Sequence, residues 1–255
     1  MFRIDDSVES SVFDLHRMRH IIEPTVTLWH AGTTVDEVDI PVFDDDVESL
    51  LEGSAVRVGL NQTWQTKRGA PGRWRNVDVF TLDVEYVWHS DDTLERSPVG
   101  RYYSARPELS AAGEFIRAAG TWQVSEALGI GAETIWDVEA QREDRNSLVV
   151  DVRHSDDLRS RAEFRQLESQ NDTYLNGSFG GTFGDKYRYV LSGVYNFRVA
   201  DFQQLRMTLL REFPIGRVGG AIGYNNITGE TSFGIVVQPT GARGSAFGGN
   251  GLLGG

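Results

Sequence analysis

Along most of the chain, hydrophobic and polar residues alternate one by one. In VDVFTLDVEYVWH, Phe80, Leu82, Val84, Tyr86 and Trp88 share one parity, and Thr81, Asp83 and Glu85 share the other. AVRVGLNQTWQTKR sets Val56, Val58, Leu60 and Trp64 against Arg57, Asn61, Thr63 and Gln65. YRYVLSGVYNF sets Tyr187, Tyr189, Leu191, Tyr195 and Phe197 against Arg188, Ser192 and Asn196. A period of two is the mark of a strand with one apolar face. It predicts about twelve strands, near 20–30, 54–66, 76–89, 112–123, 126–138, 146–155, 157–168, 172–184, 187–198, 201–213, 217–225 and 231–238. Most joins after residue 110 are short and turn-like (QREDRN, SQND, GDK, PIGR, NNITGE), which predicts antiparallel hairpins in up-and-down order. Three joins are longer, 31–53, 67–75 and 90–111, and VFDDDVESLL in the first could carry a helical turn. Residues 202–212 (FQQLRMTLLRE) are rich in helix formers, yet Leu205, Met207 and Leu209 also fit a strand. The organisation expected is a lead-in over 1–18, a strand region over 19–240 and a glycine-rich, disordered tail over 241–255.

Alternation alone fits a soluble β-sandwich as well as a membrane barrel. Length favours the barrel. Soluble strands average about 5–6 residues; a twelve-residue strand covers roughly 40 Å, and tilted by about 45° it spans the apolar band of a bilayer. RSRAEFRQLE puts Arg159, Arg161, Glu163 and Arg165 on one face, which suits a watery lumen. Trp29, Trp64, Trp88, Trp122, Trp136 and Phe213 fall near proposed strand ends, where aromatic girdles would sit. The fold class expected is therefore all-β, an antiparallel up-and-down transmembrane β-barrel.

Composition narrows function by exclusion. The net charge is −12, against a nucleic-acid partner, and there is no cysteine, so no disulfide or thiolate metal site forms. No apolar run is long enough for a membrane-spanning helix, a test that strands escape. The start, MFRIDDSVESSVFDLHRMRH, has no apolar h-region and does not read as a signal peptide. Such a chain is expected either to remain inside the cell or to be the later part of a longer one.

One stretch breaks the rhythm. RHIIEPTVTLWH, residues 19–30, carries Glu23-Pro24 in the middle of a strand pattern. Proline cannot donate to a strand ladder, so a position near the membrane interface or at a bulge is expected. His20, Glu23 and Pro24 resemble the His-x-x-Glu-Pro strand of the lipopolysaccharide-assembly outer-membrane (LptD) family, with Trp29 near its aromatic position. LLEGSAVRVGLNQTWQTKRG, ALGIGAETIWDVEAQ, SLVVDVRHS and TSFGIVVQP resemble later strands of that family in order. The resemblance implies an outer-membrane barrel that carries lipopolysaccharide to the cell surface. Its implied partners are a plug lipoprotein, a periplasmic transport bridge and the barrel-insertion machinery. The family's jellyroll and earlier strands are missing, so the resemblance implies a C-terminal portion of a larger barrel. His20 and Glu23 are then expected to be structural partners near the interface.

Catalytic and metal chemistry is sparse. The histidines at 16, 20, 30, 89 and 154 form no zinc signature. His89-Ser90 and His154-Ser155 are sequence neighbours, which a strand turns to opposite faces. An outer-membrane phospholipase would need such a pair, so no enzyme activity is expected, and no cofactor. The acidic groups at 44–46, 90–92 and 155–157 lack an EF-hand pattern and read as solvated loops, or as a site for divalent cations that bridge lipopolysaccharide. GSFGGTFG lacks the Lys-Ser/Thr of a phosphate loop. Arg57, Arg153, Arg159, Arg161, Arg165, Arg188 and Arg206 fall on proposed lumen faces. They are candidates for phosphate contact, or for cross-strand pairing with Asp83, Glu85, Glu133, Asp151 and Glu163. Two readings from other classes stay open: a self-contained porin of about twelve strands, and a soluble β-sandwich binding module.

Overall fold

The computed structural model describes residues 2–5, 9–10, 15–32, 34, 53–69, 72–90, 113–184 and 186–239. The strands are β1 (Phe2–Asp5), β2 (Glu9–Ser10), β3 (Leu15–His16), β4 (Arg19–Ala31), β5 (Gly53–Arg68), β6 (Arg75–His89), β7 (Phe115–Gln123) and β8 (Leu128–Asp137). They continue as β9 (Arg142–Ser155), β10 (Leu158–Leu167), β11 (Asp172–Phe183), β12 (Tyr187–Asn196), β13 (Asp201–Phe213), β14 (Gly216–Asn225) and β15 (Glu230–Pro239). Among the described residues one sheet takes β1 and then β4 to β15 in chain order, while β2 and β3 pair separately. All twelve expected strands are present, and residues 202–212 are a strand. The lead-in holds three short strands that alternation was too brief to reveal. The expected helical turn in 31–53 and the tail over 241–255 lie outside the described residues.

The chain divides into two compact units, the first built mainly from residues 15–119 and the second mainly from 145–255. Within each, the faces are inverted relative to a soluble protein. In the first unit, His89 and Arg117 are buried while Val26, Leu28, Val58 and Leu60 are exposed. In the second, Arg145, Ser147, Asp151, Asp172 and Asn196 are buried. Leu148, Phe164, Phe179, Leu191 and Met207 are exposed on the opposite parity. Leu28 at 73% and Asn196 at 0% mark the two extremes. Water would reward the reverse arrangement; lipid rewards this one.

Aromatic rings in the second unit bracket the exposed apolar band. At one end Phe183 stacks on Tyr187 at 5.1 Å, and the Arg211 guanidinium lies over the Tyr187 and Phe213 rings. At the other end Tyr195 meets Phe197 and Phe202 edge-on, each at 5.1 Å. Leu191, Leu205, Met207 and Leu209 lie between. On β13, Phe202 and Phe213 are separated by about 36 Å along the strand, which a tilt of about 45° reduces to about 25 Å, the height of a membrane-barrel apolar band. Trp64, Trp122, Trp136 and Phe213 are on the outward face as expected, but Trp29 is not. It packs on the inward face against Ala55, Val87, Phe115 and Ile135. The fold class is thus the one alternation predicts: antiparallel, up-and-down, of the transmembrane β-barrel type.

Four turns share one device. The turns 138–141, 168–171, 197–200 and 226–229 each close on a left-handed residue: Gln141, Asn171, Ala200 and Gly229, with φ of 50°, 51°, 54° and 68°. A left-handed residue at the end of a short loop turns the chain back with the twist that hairpin strands need. Only one of the four uses glycine, so this regularity was hidden from a search for glycine turns.

Pro24 needs neither a bulge nor a strand end. The β4–β5 register runs unbroken through it, with Pro24 opposite Leu60. The ladder between β1 and β4 begins at Phe2 opposite Ile22, short of Pro24. On that side of β4 no described strand faces Pro24, and a proline nitrogen turned to that side removes no ladder bond. The register shifts fall elsewhere, at Trp64/Gln65, Leu158/Arg159 and Val194/Tyr195.

The inverted faces make a sharp prediction about two neighbours on β12. Leu191→Arg puts a charge in the apolar band and is expected to destabilise the folded chain in phospholipid vesicles by about 2–4 kcal/mol. Ser192→Ala, one residue on and facing inward, should change stability by less than about 0.5 kcal/mol. Urea unfolding followed by tryptophan emission measures both; equal effects would contradict the assignment of faces.

Candidate functional site

Among the described residues most charged side chains gather on the polar inward face, and the sheet register fixes its rows. In the first unit Glu23, Asn61 and Asp83 form one row, and Thr25, Gly59 and Glu85 the next. Gly59 has no room for a Cβ, which would lie 2.7 Å from Thr25 Oγ1. Arg117 on β7 approaches Glu85 at 3.9 Å, both nearly buried. Arg57 lies between Thr27 and Val87 and meets no described carboxylate. The lead-in meets the other parity of β5, that of Val58, Leu60 and Trp64, through Thr66. The His16 N–H donates to Thr66 Oγ1 at 2.7 Å, the Thr66 hydroxyl donates to the His16 carbonyl at 3.0 Å, and the His16 ring meets Glu9 at 2.7 Å.

The second unit carries most of the arginines. Glu133 accepts from Arg145 at 2.9 Å, Glu163 from Arg165, and Glu126 lies 3.7 Å from Arg153. Arg159 donates bidentately to Asp151, with both contacts at 2.7 Å. That pair is diagonal: the residue directly opposite Asp151 is Arg161. Of the lumen candidates read from the sequence, Arg159 takes the cross-strand pairing alternative, Arg165 pairs with Glu163 along its own strand, and Arg153 lies near Glu126 of the turn before β8. No ion pair joins Arg57, Arg161, Arg188 or Arg206 to a described carboxylate. All seven lie on the parity opposite the exposed apolar residues of their strands, but diagonal pairing depends on register and cannot be read from parity.

A second group was not foreseen. Asp172, at the start of β11, is buried and accepts from Arg198, from the Tyr174 hydroxyl at 2.9 Å and from Asn196 Nδ2 at 3.4 Å. Asn196 Oδ1 in turn accepts the Arg198 backbone N–H at 2.8 Å. Four residues from two hairpins thus lock the turn 197–200 to the start of β11. This is a structural latch: its polar atoms are spent on one another.

The family-motif residues do not form a site. His20 stacks on Trp64, with centroids 4.2 Å apart, and its Nε2 lies 3.1 Å from Gln62 Oε1, on the outward face. Glu23 differs from it by an odd number of positions in an unbroken register and points to the other face. They are not partners, which corrects that expectation.

Two nucleophile–base geometries occur where sequence adjacency did not point. His154 Nε2 lies 2.8 Å from Ser160 Oγ, and His30 Nδ1 lies 3.0 Å from Ser54 Oγ. Both are exposed cross-strand pairs. Neither imidazole has a further described hydrogen-bond partner to orient it, as triad logic requires. Among the described residues no group of His, Asp and Glu could hold a metal ion. The acidic group at 44–46 lies outside them. Asp157 caps a hairpin instead, taking the Thr182 hydroxyl at 2.5 Å.

No protein-family profile matches the chain, and no curated protein matches it. Among solved structures it aligns with the KdgM porin at 12% identity and a TM-score of 0.35, over 87% of this chain and 98% of that one. It also aligns with a mutant of the Rh. blastica porin at 11% identity and a TM-score of 0.45, over 95% and 87%. Alignments this shallow fix neither a family nor a solute. These neighbours are porins rather than lipopolysaccharide-assembly proteins, and the resemblance drawn from His20, Glu23 and Pro24 is corrected accordingly. With it go the implied partners: lipopolysaccharide, the plug lipoprotein, the periplasmic bridge and the insertion machinery. The physical reason is plain. Period-two texture is common to all strand proteins of this kind, and the one distinctive motif divides between two faces.

The latch is testable. Asp172→Ala leaves the Tyr174 hydroxyl and buried Asn196 Nδ2 short of an acceptor, at an expected cost of about 1–3 kcal/mol in urea unfolding. Tyr174→Phe removes one donor and keeps the ring; its cost should be the smaller of the two.

Proposed function

We propose that this chain is a porin-type channel protein of the outer membrane, which lets small polar solutes pass down their gradients. The observation that carries the reading is the inversion of faces: exposed Val26, Leu28, Leu191 and Met207 against buried Arg117, Arg145, Asp151 and Asn196. A sheet with this inversion is stable where its outward side meets lipid and its inward side meets water. Strands of 9–16 residues from β4 onward have the length for it. A soluble sandwich would have to leave the same apolar face in water, where patches of this extent drive association. The chain does no chemistry in this reading. Its inward carboxylates are ion-paired or bonded in structural groups, and the Ser–His pairs lack a described orienting third residue.

Purified from outer membranes in detergent, the protein should migrate faster on gels before boiling than after, and should produce stepwise conductance in planar bilayers. A monodisperse, detergent-free protein without conductance would end the channel reading. Fatty-acid release from phospholipid micelles should stay at background. Release that disappears in Ser160→Ala would overturn the non-enzymatic part.

A further inference from the structure

The inward face of β10 to β13 holds the arginines that the ion pairs leave over. The register sets Arg161 opposite Ser178, Ser178 opposite Ser192 and Ser192 opposite Arg206. These four residues form one row across four strands, and at about 4.8 Å per strand the two arginine Cα atoms are about 14 Å apart. The neighbouring row is Arg159, Gly180, Val190 and Thr208, and the row beyond it pairs Thr182 with Arg188 and Leu210. Between the arginines, then, lie hydroxyls, a glycine and one valine, with no carboxylate. Gly180 cannot acquire a side chain, since a Cβ there would lie 2.6 Å from the Tyr189 carbonyl oxygen.

The acidic groups around this strip are already engaged. Both Asp151 oxygens are taken by Arg159, Glu163 is taken by Arg165, and Asp157 is taken by the Thr182 hydroxyl. Arg188 has its Nε buried with no hydrogen-bond partner. The fork geometry of guanidinium suits planar or tetrahedral oxyanions.

We infer that Arg161, Arg188 and Arg206 form an anion path on the inward face of the second unit, and that the solutes it favours carry carboxylate or phosphate groups. The inference rests on the channel reading and deepens it. An anion is handed between guanidinium groups across a floor of Ser178, Gly180 and Ser192, which offer hydroxyl donors and little bulk. Charges that are not neutralised locally raise the concentration of counter-ions near a low-dielectric wall.

Reversal potentials across a planar bilayer in a tenfold KCl gradient test this. The wild-type protein should prefer chloride. The triple variant Arg161→Gln/Arg188→Gln/Arg206→Gln should lose that preference several-fold or reverse it, while a triple Lys variant keeps it. Arg211→Gln, on the outward face, should change nothing. Gel migration before boiling shows whether each variant is folded, and single Gln variants, each losing part of the preference, serve if the triple is not. Adding inorganic phosphate to one chamber and citrate to the other arm of the experiment separates the two oxyanions: block of chloride current by either, relieved in the Gln variants, supports the path. A conducting wild-type protein that prefers potassium, or a folded Gln triple with unchanged selectivity, overturns the inference and leaves the channel reading standing. Absence of any conductance removes the channel reading itself.

Discussion

A lipid tail offers no hydrogen bond to a peptide group, and everything else in this structure follows from that constraint. Each N–H and C=O at membrane depth must find its partner within the protein. An up-and-down antiparallel sheet supplies those partners strand by strand, from the β4–β5 ladder through to β14–β15. Once the backbone is paired this way, side chains must alternate between two solvents. The inward parity can hold Arg145 and Asp151 only because each finds an opposite charge, Glu133 and Arg159. The outward parity can expose Leu191 and Met207 because no water meets them.

The same constraint explains what was legible in the sequence. Period two is enforced residue by residue along every long strand, so VDVFTLDVEYVWH and YRYVLSGVYNF announced their strands within a residue or two of their ends. Helix propensity in FQQLRMTLLRE lost to it, since Leu205, Met207 and Leu209 had to reach the outward face together. The lead-in strands were invisible because two to four residues cannot display a period. Pro24 misled in a more instructive way. It looked like a defect that demanded a special location, but no described strand faces it on one side at that point. Whether a neighbour strand reaches a given residue is a property of register, which local pattern does not contain.

The site was legible by face and not by partner. Parity sets Arg57, Arg153, Arg159, Arg161, Arg165, Arg188 and Arg206 opposite the apolar residues of their own strands. Which of them stay unneutralised depends on Asp151 choosing the diagonal Arg159 over the directly opposite Arg161. Antiparallel geometry allows both choices, so the sequence could not decide. The latch at Asp172 was further out of reach, because it draws together Tyr174, Asn196 and Arg198 through side-chain bonds across two hairpins. The His-x-x-Glu-Pro motif shows the converse error: a compact string of residues suggested a unit where the strand's alternation separates its members.

Net charge deceives for a related reason. At −12 the chain looks hostile to anions. Yet Asp36, Glu37, Asp39, Asp44, Asp45, Asp46, Glu48 and Glu52 all fall in the single connection between β4 and β5, which has no lysine or arginine. A formal sum over the chain says nothing about how charge is shared among its strands, and so little about a row of side chains on β10 to β13. On and beside those strands the inward acids Asp151, Glu163, Asp172 and Glu212 are each bound to an arginine and Asp201 to Asn226, while Arg161, Arg188 and Arg206 meet no described carboxylate. Whether an arginine on this face has a carboxylate partner is set by the pairing that register permits, and these three have none among the described residues although the formal charge of the protein is negative.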